Sequence, residues 1–302
     1  MSMRVTQNMT SSRLIQNLNA NMRKMAIQQD QISTGRKINK PSDDPVGLTY
    51  GLRYRSDLTA NDQYQDNVAS SLSWLDFYDS QLDQATQVLQ RVNDLAVQAG
   101  TGTNTPESLE AINKEITELK KQMSDIGNSS FNGKYVFSGQ MFDQPPFPDG
   151  TDPKTVTADN GGVTYEIGQG ITMDVNLTAN QVFGAADAAG TTDNVFSIFD
   201  RLSSALQSSN YGAVSAEIDN VKSRMNQIIS ARSENGAKTN RAELMQNRME
   251  QMEVDLTSLQ SKTEDADMDQ LYIDSSVSQN IYQASLSVGS KIITPSLVNF
   301  LN

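Results

Sequence analysis

Leu109, Ile112, Ile116, Leu119, Met123 and Ile126 follow one another at alternating steps of three and four. That spacing confines the segment to a helix with one narrow apolar edge, the edge of a coiled coil. Ala242, Met245, Met249, Met252, Leu256 and Leu259 repeat the pattern in the last third of the chain. The two runs are expected to supply an intramolecular coiled-coil seam, with methionine suited to contacts that must adapt in shape. Val68, Leu72, Leu75, Leu82 and Leu89 mark a further helical stripe, and Val195, Ile198, Phe199 and Leu202 another. Only 37% of the 302 residues are hydrophobic and 6% aromatic. Thin helical packing, which buries a stripe and leaves most surface wet, suits that composition better than one thick core.

The breaks between helices are written in turn chemistry. Asp44-Pro45 and Thr105-Pro106 each read as a capping residue followed by proline at the first helical position. Gly35, Gly100 with Gly102, and Gly127 supply stops. FNGKYVFSG, from Phe131 to Gly139, reads as a turn with a short strand. From Gln140 to about Gly190 four prolines crowd the run Pro145–Pro153, glycines cluster, and Ile171–Leu177 is rich in β-branched residues, predicting two or three hairpins. The expected fold is mainly α: an elongated antiparallel coiled-coil or helical bundle formed by the N- and C-terminal regions, with a small β-rich inserted domain at its tip. Residues 1–44 and 273–302 are assigned to terminal helices, 45–139 and 191–272 to a helical coiled-coil domain, and 140–190 to the outer insert.

Both ends carry short stripes. Leu14, Leu18, Met22, Met25 and Ile32 share one face near the start. Val277, Ile281, Ala284 and Val288 do so near the end, before the apolar tail Leu297, Val298, Phe300 and Leu301. Neither stripe alone buries enough apolar surface to offset the entropy of ordering its segment. Each is therefore expected to pair with the other and with further copies of the chain, to be disordered in the isolated monomer, and to become helical on assembly.

Charge and residue types exclude several classes of function. The formal net charge is -12, with nine basic against four acidic residues before Asn61 and one against nine between Gln140 and Asp200. An acidic chain without clustered Lys and Arg is not built for nucleic acid. No window is apolar enough for membrane insertion, and polar residues interrupt the start where a Sec-type signal would lie. Histidine and cysteine are both absent, which removes Ser-His-Asp and Cys-His catalysis and the usual zinc sites. GNSSFNGKY, from Gly127 to Tyr135, has five residues between its glycines and a tyrosine where a phosphate loop needs Ser or Thr. Asp265, Asp267 and Asp269 begin like a calcium loop, but Gln270 and Ser276 replace its glycine and bidentate glutamate. Gly168 and Gly170 lack the third glycine of a dinucleotide fingerprint. No catalytic, metal-ligating or cofactor-binding residue stands out, and no enzyme activity or cofactor is expected.

Six segments together resemble a known family. ISTGRKINKPSDDPVG (Ile32–Gly47) and FNGKYVFSG are similar to motifs of the flagellins and flagellin-like axial proteins of bacterial flagella. So are ARSENGAKTNRAE (Ala231–Glu243), EDADM (Glu264–Met268), YQASL (Tyr282–Leu286) and the ending PSLVNFL (Pro295–Leu301), in the same order. Lys40-Pro41, the form of FNGKYVFSG and the ending resemble most the FlgL-type hook-associated branch. That resemblance implies a structural subunit joining hook to filament, in which terminal helices line an inner tube, neighbouring helices form a coiled-coil shell and the insert faces outward. It implies export unfolded through the flagellar type III apparatus to an extracellular place on the flagellum, without a cleavable signal peptide. The partners it implies are other copies in a ring or helical assembly, a FlgK-type hook-associated protein, flagellin, and an FlgN-type export chaperone. A minor or short filament-forming flagellin is the alternative, and an adhesin or enzyme carried in the insert a remote one.

Overall fold

Side chains aimed at the first free amides start the long helices in this computed structural model, which describes residues 7–293. Helix α1 is Gln7–Thr34, α2 Pro45–Gly100 and α3 Pro106–Gly127. The Asp44 carboxylate accepts from the amides of Val46 and Gly47 at 3.1 and 2.9 Å, and Thr105 Oγ1 accepts from Ser108 at 3.3 Å. Gly35 ends α1 in the left-handed region at φ +70°. After these come α4 (Ala179–Phe183), α5 (Val195–Gln207), α6 (Tyr211–Glu264) and α7 (Met268–Ile293). Asn194 caps α5 by accepting from Phe196 and Ser197. Asp267, read above as part of a failed calcium loop, caps α7 by accepting from Gln270 at 3.1 Å.

Two antiparallel hairpins complete the chain, β1 (Ser130–Phe131) with β2 (Lys134–Tyr135) and β3 (Thr164–Gly168) with β4 (Ile171–Asp174). Asn132 and Gly133 turn the first at φ +51° and +76°, the double positive φ for which Asn-Gly is selected. The fold is thus mainly α with two small two-stranded sheets, as expected. Residues 140–190 hold one hairpin where two or three were expected, because the proline-rich part is satisfied by turns and side chains instead of ladders.

The chain forms two compact units. One contains Asn61–Gln251, and the other the residues before Asn61 together with those from Met252 onward; α2 and α6 contribute to both. In the Asn61–Gln251 unit a large apolar cluster joins Leu82, Leu89 and Leu95 of α2, the α3 stripe, Phe196, Phe199 and Leu202 of α5, and Val221 and Ile228 of α6. A second cluster sets Ile167 and Met173 of the β3–β4 hairpin against Val68 and Leu75 of α2 and Ala242, Met245 and Met249 of α6. The 140–190 segment therefore has no core of its own. Phe147, Leu177 and Phe183 belong to the first cluster, Ile167, Met173 and Val175 to the second. It lies along the helices, whose α2–α3 turn is closed elsewhere by the Tyr211 hydroxyl donating to Asn104 O at 3.4 Å.

Polar groups, some buried and some half-buried, fasten this segment and the turn before it. Asn128 Nδ2 donates to Phe147 O at 2.7 Å while its Oδ1 accepts from Phe147 N at 2.9 Å, and the Tyr78 hydroxyl donates to Val136 O. Lys120 and Lys154 both reach Asp200, at 2.6 and 3.0 Å. Asp187 is buried and closes the loop before α5, accepting from the Thr192 amide at 2.7 Å. Burial pushes its carboxyl up, but hydrogen bonds from the Thr192 and Thr191 amides and the Thr192 hydroxyl outweigh this and hold it far below the usual carboxylate range. A depressed carboxylate stabilises the fold above the unfolded-chain pKa of about 4, and the contribution is lost as pH falls below that value. Asp187→Asn is accordingly expected to melt lower than the parent at pH 7, with the gap closing as melts are repeated from pH 4 downward.

Candidate assembly interface

The unit built from both ends is organised around α1 and α7. Arg36 and Asp265 form an antiparallel bridge, Lys37 N donates to Glu264 O at 2.7 Å and Ala266 N to Gly35 O at 3.0 Å. The segments Ile32–Gly47 and Glu264–Met268, far apart in sequence, thereby become one backbone junction. Beneath it the Glu264 side chain is 3% exposed and pairs with Arg55, against Gly51, where a Cβ would collide with the carboxylate. Glycine at 51 is the residue that admits the buried acid.

From this junction α1 and α7 run antiparallel. At their other end Gly289 packs against Leu14, leaving a Cβ on Gly289 only 2.8 Å from Leu14 Cδ2. The two ends fix a register that sets Leu18 level with Ser285, Met25 with Ser278 and Ile32 with Leu271. Burial agrees. Leu14, Leu18, Met25 and Ile32 are half-buried, and Leu271, Ser278 and Gly289 are buried. The packed face of α7 is thus Leu271, Ser275, Ser278, Tyr282, Ser285 and Gly289, again alternating four and three. Small residues there let the backbones approach, and the leucines and methionine of α1 fill the space.

The expected interface residues do not all lie in this contact. Met22 of α1 is exposed. Val277, Ile281, Ala284 and Val288 are exposed too, on a stripe about a quarter turn from the packed face at 100° per residue. Ile15 and Ile27 of α1 and Ile273 and Leu286 of α7 add to the apolar surface left open. Leu297, Phe300 and Leu301 lie outside the described residues. Sequence reading missed Ser275, Ser278, Ser285 and Gly289, whose regular spacing was the available signal. The expected coiled-coil seam also divides. Leu109, Ile112, Ile116 and Met123 are buried in the large cluster with Leu119 against it, where α3 packs on α5. Met245 and Met249 are buried in the second cluster. Leu256 is buried in the other unit, and Met252 and Leu259 are exposed there.

Gly289 offers a direct check on the α1–α7 contact. Alanine needs only a small shift of the Leu14 terminus, whereas Gly289→Leu overpacks a seam built for a hydrogen and is expected to cost about 2 kcal/mol. Amide exchange along α1 would then speed up roughly thirtyfold, with the Asn61–Gln251 unit unaffected.

Among known proteins, the bacterial flagellin N-terminal helical region matches residues 5–141. The chain is 26% identical over 278 residues to the flagellin of Bacillus subtilis, covering 88% of each. It is 25% identical over 229 residues to flagellar hook-associated protein 3 of Salmonella typhimurium, covering 68% of this chain and 71% of that one. A solved flagellar hook-associated protein from Vibrio parahaemolyticus shares the fold with a TM-score of 0.67 at 22% identity, over 74% of this chain and all of the other. The chain is thus similar to the flagellins over residues 5–141, and its helical ends, which meet at motifs 32–47 and 264–268, belong to a chain that shares its fold with a solved hook-associated protein.

Proposed function

We propose that the chain is a structural subunit joining hook to filament, and that the open apolar stripe on α7, with Met22 and Ile15 of α1, is the surface on which neighbouring copies assemble. The observation that carries this reading is the division of labour on α7. Its small and polar face meets α1, while Val277, Ile281 and Val288 stand 47–52% exposed in line along the helix. A contiguous apolar face of that length is costly to leave in water and marks an interaction site. The groove between Leu14, Leu18, Leu286 and Gly289, about 300 Å³ in volume, is a receptacle for a side chain of the next copy. The terminal helices, held by a narrow and partly polar seam, become fully ordered on assembly.

The junction role is supported by likeness in fold to hook-associated proteins. It brings with it a FlgK-type neighbour on one side, flagellin on the other, an FlgN-type chaperone at the C-terminal region, and extracellular placement on the flagellum. A filament-forming flagellin is the second reading, favoured by the extent of the Bacillus subtilis match. Deleting the gene separates them. The junction role predicts hooks without filaments and flagellin shed into the medium, with immunogold label on normal flagella confined to the hook end. Label along the whole filament would overturn it in favour of the flagellin reading.

A further inference from the structure

The Asn61–Gln251 unit carries a cleft that assembly of the ends does not use. It holds about 310 Å³, within the range that takes a small organic ligand. Four separate segments build it: α2 supplies Trp74 and Ser70, the β1–β2 hairpin Phe131, Asn132 and Lys134, the loop after β2 Phe142, and the β3–β4 hairpin Tyr165. Trp74 and Phe131 meet edge to face with centroids 5.3 Å apart, and both remain partly exposed. A chain with one tryptophan has placed it in a solvent-facing hollow.

The rim is polar and unspent. Ser70 and the Asn132 amide have no side-chain hydrogen-bond partner among the described residues. Lys134 has no carboxylate there and lies over the Phe142 ring, 5.2 Å from its centroid, which holds the ammonium at the edge of the cleft. The turn that presents Asn132 and Lys134 is fixed by two successive positive φ values. Aromatic walls beside hydroxyl, amide and ammonium groups fit a ligand that has an apolar face and a hydroxyl edge. A nucleotide would need more than one cation at its phosphates, and an aliphatic chain would leave the rim unused.

We propose that this cleft binds a sugar of one or two pyranose rings, stacked on the Trp74–Phe131 wall, with Lys134 selecting an acidic sugar over a neutral one. The chain would then carry a glycan-binding surface in addition to its structural role.

Trp74, as the sole tryptophan, reports occupancy directly. The purified full-length chain is titrated with digalacturonate, with neutral galactobiose and with decaproline, following tryptophan emission. The expected result is a saturable change at millimolar disaccharide, tighter for digalacturonate by about fivefold, the effect of one exposed ion pair. Lys134→Ala should remove that preference while keeping galactobiose binding. Asn132→Gly, which retains the turn because glycine accepts its φ, should weaken both sugars. No saturable change with either sugar, affinities unaltered in both variants, or a response to decaproline alone would overturn the proposal.

Discussion

A chain carrying Ile281→Asp is expected to fold and melt like the parent and to fail in assembly. Ile281 is 47% exposed and lies off the face that meets α1, so in the free chain the change is a surface substitution worth no more than about 0.5 kcal/mol. If the α7 stripe is the proposed assembly surface, a neighbouring copy covers this position, and an unpaired carboxylate there costs several kcal/mol. At about 3 kcal/mol each contact between copies weakens more than a hundredfold, repeated at every subunit. The measurements are the thermal melt of the purified chain and the motility of cells carrying the variant. Gln279→Asp is the matched control, because Gln279 is also exposed but lies about 200° round the helix from Ile281. Normal motility with Ile281→Asp would remove the α7 stripe from the assembly surface.

That stripe also shows where sequence reading succeeded and where it stopped. Hydrophobic spacing identified Leu14, Leu18, Met25 and Ile32 because apolar side chains enter their contact. It chose Val277, Ile281, Ala284 and Val288 on α7 for the same reason, although the face packed against α1 is Ser275, Ser278, Ser285 and Gly289. Close helix packing is achieved by removing bulk, and a hydrophobicity pattern is blind to that device. Helix starts at Pro45 and Pro106 were legible because capping is local, settled by Asp44 and Thr105 within three residues. Partner choice is not local. The α3 stripe and the methionine stripe of α6 have the same period, yet the first packs in the large cluster with α5, while of the second only Ala242, Met245 and Met249 pack in the hairpin cluster. Asp187, Asn128 and Glu264 were invisible, since their roles come from backbone groups brought near by the fold.

The same distinction governs the largest stability effect expected in this molecule, that of Phe196→Ala. Phe196 is fully buried on α5, with its ring 4.8 Å from that of Phe147, near the prolines of the 140–190 segment, and 6.2 Å from that of Phe183 in α4. Phe183 in turn meets Phe137, which meets Tyr78 of α2. One ring thus stands where α5, the proline-rich loop and α4 share a core. Truncation leaves a cavity bounded by all three and is expected to cost about 3–5 kcal/mol. At roughly 2–4 °C per kcal/mol for a unit of this size, the melt should fall by about 10 °C. Phe131→Ala, on the solvent side of the same aromatic series, should cost far less. An insert with its own core would lose structure alone. Here the apolar contacts of residues 140–190 are shared with α2, α5 and α6, so their loss must be felt throughout the unit. Urea unfolding followed by Trp74 emission and by amide exchange in α5 should therefore coincide in the parent and shift together in the variant. Separate transitions would mean that the 140–190 segment unfolds independently of the helices that bury it.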